Sequence, residues 1–221
     1  MNAISILSTK KLSDSQKEYF NNANFSYFEA DFIEIESSDF TCNLSSDYSI
    51  ITGQNAIESI LKNKDAEQIK FLPCFCVGSK TKILLEKNGF KVIETSDYAA
   101  ELASIICNKY QKKSFLFFSG NLRRDILPEA MQLANVNFTE VVVYKTTLKS
   151  HKIESNLQGI LFFSPSAVES YLQKNTITNQ TCFCIGKTTA EALETNNTQI
   201  PNQPTIENTI IQCINYYGYN K

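Results

Sequence analysis

The sequence predicts an α/β protein of two similar lobes, each a parallel sheet flanked by helices, joined by a two-stranded β ladder. Three observations carry this. Short apolar runs alternate with helical periods along the whole chain. Two stretches, CFCVGSKT from Cys74 and CFCIGKTT from Cys182, nearly repeat at an offset of 182 − 74 = 108 residues. A second pair, ITGQNAIES (51–59) and FSPSAVESY (163–171), aligns Ala56 with Ala167, an offset of 167 − 56 = 111. Alternating βα units predict parallel sheets with helices on both faces, and two matched pairs at nearly one offset predict that the arrangement occurs twice.

In chain order, ISIL (4–7) reads as a strand and LSDSQKEYFNN (12–22) as a helix with Leu12, Tyr19 and Phe20 on one face. FSYFEADFIEIES (25–37) is long, apolar and β-prone. YSIIT (48–52) is a strand before a helix over 55–61, and PCFCV (73–77) a strand before a helix over 79–87 that Asn88-Gly89 stops. A short strand at 91–94 precedes a helix over 101–110 with Leu102, Ile105 and Ile106 as its stripe. SFLFF (114–118) leads into GNLRRDILPEAM. There Pro128 cannot donate a backbone bond and would clash four residues back, so residues 122–127 read as a separate turn and a helix restarts near Pro128. FTEVVVY (138–144) and GILFF (159–163) are strands, the latter before helical SPSAVESYLQ. CFCI (182–185) leads to helical GKTTAEALE, and IENTIIQCINYY (206–217) closes the chain as an amphipathic helix. VVVYKTTLKS (141–150) is the counterpart of the extended stretch at 25–37. The chain therefore starts one lobe, leaves it and returns: residues 1–34 plus 148–221 form the first lobe and 38–144 the second, with crossover strands near 30–37 and 144–149.

Bulk composition excludes several classes. With 221 residues, 43% hydrophobic and 20% charged, the chain can bury one large core or two small ones. A net charge of −2, with only the adjacent Arg123 and Arg124 as arginines, argues against a nucleic-acid partner. Seven cysteines, an odd number, complete no disulfide framework and point to a reducing cytoplasm. MNAISILSTKKLS puts its apolar run before its lysines, the reverse of an export signal, and no run approaches the roughly 20 apolar residues of a spanning helix, so no membrane partner is expected. No Walker or GxGxxG motif supports nucleotide chemistry.

Four of the seven glycines, Gly53, Gly78, Gly120 and Gly186, lie at strand-to-helix junctions. In open parallel sheets ligands bind at those carboxyl ends, where a helix start offers unpaired N–H groups and partial positive charge to an anion. Thr52, Ser79, Thr81, Ser119, Asn121, Ser164, Ser166, Thr188 and Thr189 stand around them. Each taken singly is equally an N-cap; together they predict an elongated anionic ligand. The CxC pairs place two thiols on one strand face. With His151 the only histidine, and in a polar stretch, metal partners are lacking, and buried cysteine is a good apolar filler. No metal is expected. The signal of the repeat is the glycine that lets the chain turn and the threonine after it.

FLFFSGNLRRDILPEAM, VVVYKTTL, FFSPSAVESYL and CIGKTTAEAL follow the order of the motifs of uroporphyrinogen-III synthase: an apolar strand, G-N-L-(K/R)-R-x-I-L-P, V-x-V-Y-x-T, F-x-S-P-S and I-G-x-T-T-A-x-A-L. The chain resembles that family over nearly its whole length, most from Phe115 to Leu193 and least before Ile50. The resemblance implies two α/β lobes joined by a two-stranded ladder, the first made from both chain ends. It implies an enzyme that closes linear hydroxymethylbilane, which carries eight carboxylates, to uroporphyrinogen III with inversion of the last pyrrole ring and loss of water, using no metal or organic cofactor. Such catalysis is mainly orientation, aided by a weak proton donor near the leaving hydroxyl. Tyr144 matches the V-x-V-Y tyrosine and takes that role. Thr81 and Thr188 match the threonines after the paired glycines; with Ser164, Ser166 and the other rim residues they would hold carboxylates, and Arg123 would help. Gly53-Gln54-Asn55 stands where the family often has Ser-Pro-Arg, so an arginine contact is absent there. A monomer is expected, with transient contact with the enzyme of the preceding step. The other readings are a non-catalytic bilobal protein for a small anionic ligand, which lacks an export signal or output domain, and a flavodoxin- or receiver-like fold, which in the receiver case lacks clustered acids at its strand ends.

Overall fold

Two sheets, parallel but for one edge strand, organise the chain. The structure, a computed structural model, describes residues 4–21, 23, 25–195 and 197–219. Asn22 of the first predicted helix and the extreme ends of the first predicted lobe lie outside the described residues. The elements begin with β1 (Ile4–Ser8), α1 (Asp14–Asn21), β2 (Phe25–Glu29), β3 (Ile33–Ser37), β4 (Tyr48–Ile51), α2 (Gln54–Lys62) and α3 (Ala66–Lys70). They continue with β5 (Cys74–Val77), α4 (Ser79–Lys87), β6 (Val92–Ser96), α5 (Ala99–Lys109), β7 (Ser114–Gly120), α6 (Ile126–Leu133) and β8 (Asn137–Leu148). The last are β9 (Gly159–Phe162), α7 (Pro165–Leu172), β10 (Thr181–Cys184), α8 (Lys187–Glu191), β11 (Thr198–Gln199) and α9 (Ile206–Tyr219).

The backbone divides into two compact units, Met1–Glu34 with Thr147–Lys221, and Ile35–Thr146. The sheet of the first has the order β11-β10-β9-β1-β2 and is parallel throughout. The second has the order β3-β8-β7-β4-β5-β6, parallel from β8 to β6. At its β3 edge the Ser38 N–H donates to the Val143 carbonyl (2.9 Å) and the Lys149 N–H to that of Phe32 (2.8 Å), so β3 and β8 run antiparallel. These two strands carry the chain across the boundary between the units. The sequence repeat lands on equivalent strands. It places β4 on β9 and β5 on β10, and the neighbours then match in space: β7 and β8 on one side correspond to β1 and β2, and β6 on the other to β11.

Each central strand is buried on both faces, so its apolar residues alternate between two cores. Cys74 and Cys76 pack with Ile51, Leu116 and Phe118, whereas Phe75 packs with Ile50, Phe115 and Phe117. Cys182 and Cys184 join Ile160 and Phe162, whereas Phe183 joins Ile6 and Leu161. Burying a side chain the size of Phe contributes about 2–3 kcal/mol. Among the described residues no helix is long and apolar enough to cross a membrane.

Several elements differ from expectation. The stretch 25–37 is two strands in two sheets, broken where Phe32 is fully buried and the Lys11 N–H bonds the Asp31 carboxylate (2.8 Å). Helix α3 and strand β11 are additional, and the helix expected over GKTTAEALE shortens to the five residues of α8. Tyr19 is exposed, while Leu12 and Phe20 are buried. Helix α6 starts two residues before Pro128; in a first turn the missing N–H forfeits no helical bond.

Candidate functional site

The densest set of predicted residues lies where β7 ends beside β8. These strands pair in parallel from Ser114 opposite Asn137 to Ser119 opposite Val142; a register shift then sets Gly120 opposite Tyr144. The shift brings the tyrosine ring onto the glycine. A Cβ at Gly120 would lie 2.3 Å from Tyr144 Cζ, 2.4 Å from Cε2 and 2.7 Å from the hydroxyl oxygen. Gly120 is needed for this approach, not for an unusual backbone angle; the described glycines with positive φ are Gly78 and Gly89.

A polar brace ties the turn after β7 to β8. The Asn121 N–H donates to the Tyr144 carbonyl (3.3 Å), its side-chain Nδ2 to the Thr146 carbonyl (3.1 Å), and Thr146 N–H to Asn121 Oδ1 (2.7 Å). The side chain thereby continues the ladder beyond the strand. Arg123 grips Glu140 with two bonds, Nε to Oε1 (2.6 Å) and Nη2 to Oε2 (2.8 Å), and also bonds Asp125. Ser119 Oγ donates to the same Glu140 Oε1 (2.6 Å). The guanidinium holds the Glu140 carboxyl below its ordinary range, and Glu140 in turn holds the Arg123 proton more firmly. Sequence reasoning marked Ser119, Asn121 and Arg123 as ligand donors; in this unit their polar groups are engaged with β8.

The Tyr144 phenol is half-buried against the core of Ile51, Ala56 and Phe118. Burial pushes its pKa up, and the neighbouring Asn55 amide only partly opposes that shift. The phenol is therefore protonated through neutral pH. Sequence reasoning noted Asn55 only as the residue replacing an arginine. The signal that finds it is the repeat: 55 + 111 = 166, so Asn55 stands at the position of Ser166 in the first turn of the equivalent helix.

The other predicted residues also sit at strand ends. In the second unit, half-buried Thr52 follows β4, and Gly53 caps α2 in extended backbone, φ −151°. Gly78 after β5 has φ +85° and donates its N–H to the Ser96 carbonyl (2.8 Å). Exposed Ser79 opens α4, and Thr81, buried, stands in its first turn. A groove of about 720 Å³ runs beside them, lined by Ser79, Lys82, Thr95, Ser96, Asp97 and Glu101 among others. In the first unit, Ser164 caps α7 by accepting from the Ala167 N–H (3.1 Å), with half-buried Ser166 in the first turn. Gly186 precedes α8, with Thr188 half-buried and Thr189 buried.

Two expectations about the repeat are corrected. Gly186 has φ −171°, extended backbone open to any residue, so only Gly78 turns the chain as glycine alone readily can. By the 108-residue offset the partner of Thr81 is Thr189, not Thr188, and both are buried. Thr188 occupies the place of Lys80. The thiols are buried as expected: Cys74, Cys182 and Cys184 are pushed up to about 12 by burial, which leaves them neutral and poorly nucleophilic.

A family model described as uroporphyrinogen-III synthase HemD matches residues 15–210, a span that contains every predicted site residue. The chain belongs to the uroporphyrinogen-III synthase family. The uroporphyrinogen-III synthase of Saccharomyces cerevisiae (strain ATCC 204508 / S288c) is 30% identical over 116 residues, 45% of this chain and 42% of the yeast protein. The chain thus spans less than half the length of the curated relative it matches. The crystal structure of uroporphyrinogen-III synthetase from Helicobacter pylori 26695 is similar with a TM-score of 0.71 and 18% identity, covering 96% of this chain and 99% of that one. A mutant uroporphyrinogen III synthase from the extremely thermophilic bacterium Thermus thermophilus reaches the same TM-score at 10% identity, covering 99% and 100%. At these identities the two structures are a likeness of fold. Within the uroporphyrinogen-III synthase motifs, G-N-L-R-R is the turn that braces β8, and V-V-V-Y is the strand that carries Tyr144.

Proposed function

We propose that this chain closes hydroxymethylbilane to uroporphyrinogen III and water in the cytoplasm, inverting the last pyrrole ring. The observation that carries the reading is the Tyr144 phenol: protonated, half-buried and seated on Gly120 at the carboxyl edge of a parallel sheet. Family membership favours a synthase over a non-catalytic binding protein for small anions.

The pyrroles supply the electron push, so the chain needs no strong acid or base. Tyr144 gives its phenol proton to the substrate hydroxyl as its C–O bond breaks, and water leaves. The azafulvene cation that remains is attacked by the substituted carbon of the last ring, giving a spiro intermediate. That intermediate fragments, and the ring rejoins in the opposite sense, releasing a proton that restores the Tyr144 phenol. Holding the chain so that this carbon attacks first is catalysis by orientation. A chain of net charge −2 holds eight carboxylates mainly through N–H groups and hydroxyls. Thr52, Gly53, Gly78, Ser79 and Thr81 serve in one unit, and Ser164, Ser166, Gly186, Thr188 and Thr189 in the other. Gly120, Asn121, Ser119 and Arg123 act by fixing Tyr144.

The test is to incubate the protein with freshly made hydroxymethylbilane and separate the oxidised products. The type III isomer is expected; type I alone, the product of spontaneous closure, sinks the reading. Tyr144→Phe should lower kcat by about 10²-fold, the lower range for a lost proton donor, with the fold intact. Unchanged turnover removes Tyr144 from the mechanism.

A further inference from the structure

We propose that Arg124, framed by Tyr98, Leu122, Ile126 and Val142, is a substrate-binding residue that holds one carboxylate-bearing pyrrole ring of hydroxymethylbilane. The inference rests on the synthase reading above. The two adjacent arginines have different surroundings. Arg123 is committed within the protein, to Glu140 and Asp125. The Arg124 side chain is exposed and forms no hydrogen bond or ion pair among the described residues. Its guanidinium carries five N–H donors in a planar fork, the geometry that matches a carboxylate. The turn that presents it is fixed at both ends. Asn121 ties its start to β8, the Arg123 N–H donates to the Gly120 carbonyl (3.2 Å), and the Glu129 N–H donates to the Asp125 carbonyl (2.8 Å). Little backbone freedom is then lost when Arg124 takes a ligand.

A free cation alone marks no site; the apolar side chains gathered at the same edge do. Cys107 Sγ on α5 donates to the Ala130 carbonyl on α6 (3.5 Å), and Gln111 Nε2, just past α5, to the Ala134 carbonyl (2.7 Å). The offset is constant, 130 − 107 = 134 − 111 = 23, so the two helices run parallel and Ala103 stands level with Ile126 (103 + 23 = 126). Their first turns therefore share the carboxyl edge of the second sheet. Tyr98, the residue ahead of α5, is 63% exposed there; Leu122, four residues before Ile126, is 50% exposed, and Ile126 itself 42%. Val142, 44% exposed, pairs with Ser119 on β7 and lies two residues beyond the Glu140 that holds Arg123. Single exposed apolar residues are ordinary, but four large ones at one end of the sheet, with an unpaired guanidinium on the turn between them, fit a ligand that is apolar in its rings and anionic at its periphery. Hydroxymethylbilane is such a ligand: its carboxylates hang from flat pyrrole rings. Charge complementarity favours it over a second copy of the chain, because a two-fold contact would set this patch on itself and bring one Arg124 towards another.

The experiment reads kcat and KM for type III formation from freshly made hydroxymethylbilane at low and high salt, about 0.02 and 0.5 M. Arg124→Gln should raise KM about tenfold at low salt, the scale of a hydrogen bond to a charged group, with kcat within about twofold, the pattern of a lost binding contact. The rise should shrink at high salt, where the wild-type contact is already screened. Arg124→Lys keeps the charge without the fork and should recover part of the loss. Leu122→Ser should raise KM about fivefold at either salt, by removing apolar contact with the ring. Both positions are exposed, so urea midpoints should stay at the wild-type value, which separates binding from folding. An unchanged KM in Arg124→Gln overturns the proposal, and so does a rise that is equal at both salts. A wild-type dimer in sedimentation that Leu122→Ser dissociates overturns it too, by giving the patch to a second copy. If the wild-type protein yields only the type I isomer, the synthase reading falls and takes this subsite with it; type III formation with an indifferent Arg124 refutes the subsite alone.

Discussion

Replacing Gly120 with alanine tests the site at its tightest contact. The added methyl would sit 2.3 Å from Tyr144 Cζ. Ordinary carbon contact is about 3.5 Å, so the ring must retreat by about 1.2 Å. The obstructing atoms belong to an aromatic ring on β8 opposite the end of β7, held by the Asn121–Thr146 bonds on one side and by a packed core on the other. A displacement of that size in a catalytic group costs on the order of 10²-fold in rate, and overpacking costs about 1–3 kcal/mol of stability. The assay is type III formation from freshly made hydroxymethylbilane, paired with urea unfolding. Gly120→Ala should lower kcat about as far as Tyr144→Phe. Its stability loss should be largely relieved in a Tyr144→Ala background, with a coupling on the order of 1–3 kcal/mol between touching residues. Full turnover with unchanged stability in Gly120→Ala would show that the ring does not rest on the glycine, and would refute the reasoning.

The remaining predictions concern the brace and the repeat. Glu140→Gln should destabilise the protein by about 1–3 kcal/mol at neutral pH by breaking a charge-assisted pair. Because the Glu140 pKa is depressed in the folded state, the pair's contribution is present above the unfolded carboxylate value of about 4.3 and is lost as pH falls through the folded one. The gap between wild type and variant, measured by urea unfolding across pH, should therefore close in acid; a gap that persists there contradicts the ion pair. Gly78→Ala should cost about 1–3 kcal/mol, since alanine is strained at φ +85°. Gly186→Ala, at φ −171° with its nearest neighbour 3.9 Å away, should cost under about 0.5 kcal/mol. Equal costs, read from thermal melts, would erase the distinction between the two copies.

Legibility varied with the range of the interaction responsible. Strand positions, the buried alternation of Cys-Phe-Cys and the equivalence of β4 and β5 with β9 and β10 were readable, because each is written in a window of a few residues and then repeated. The split of 25–37 into β2 and β3 was not. Both halves are equally β-prone, and which sheet each joins depends on partners more than a hundred residues away for β3, and on β1 for β2. Helix α8 was over-extended for the complementary reason. Its sequence favours a helix, and the chain instead turns after Glu191 to bury Leu193 in the core of the first unit.

The site divides along the same line. Sequence alone determined which residues gather at strand ends, since glycines and small hydroxyl residues at strand-to-helix junctions are a local pattern, and it singled out Tyr144 by motif. Only the tertiary structure decided what those residues do to one another. The register shift at Ser119/Gly120 sets the tyrosine ring on the glycine, the Arg123–Glu140 pair ties the turn to β8, and Asn55 reaches the phenol from another element. No short window encodes these contacts. Their residues are 17 to 89 positions apart (140 − 123 and 144 − 55), and they meet because parallel pairing places the ends of successive βα units along one edge of the sheet.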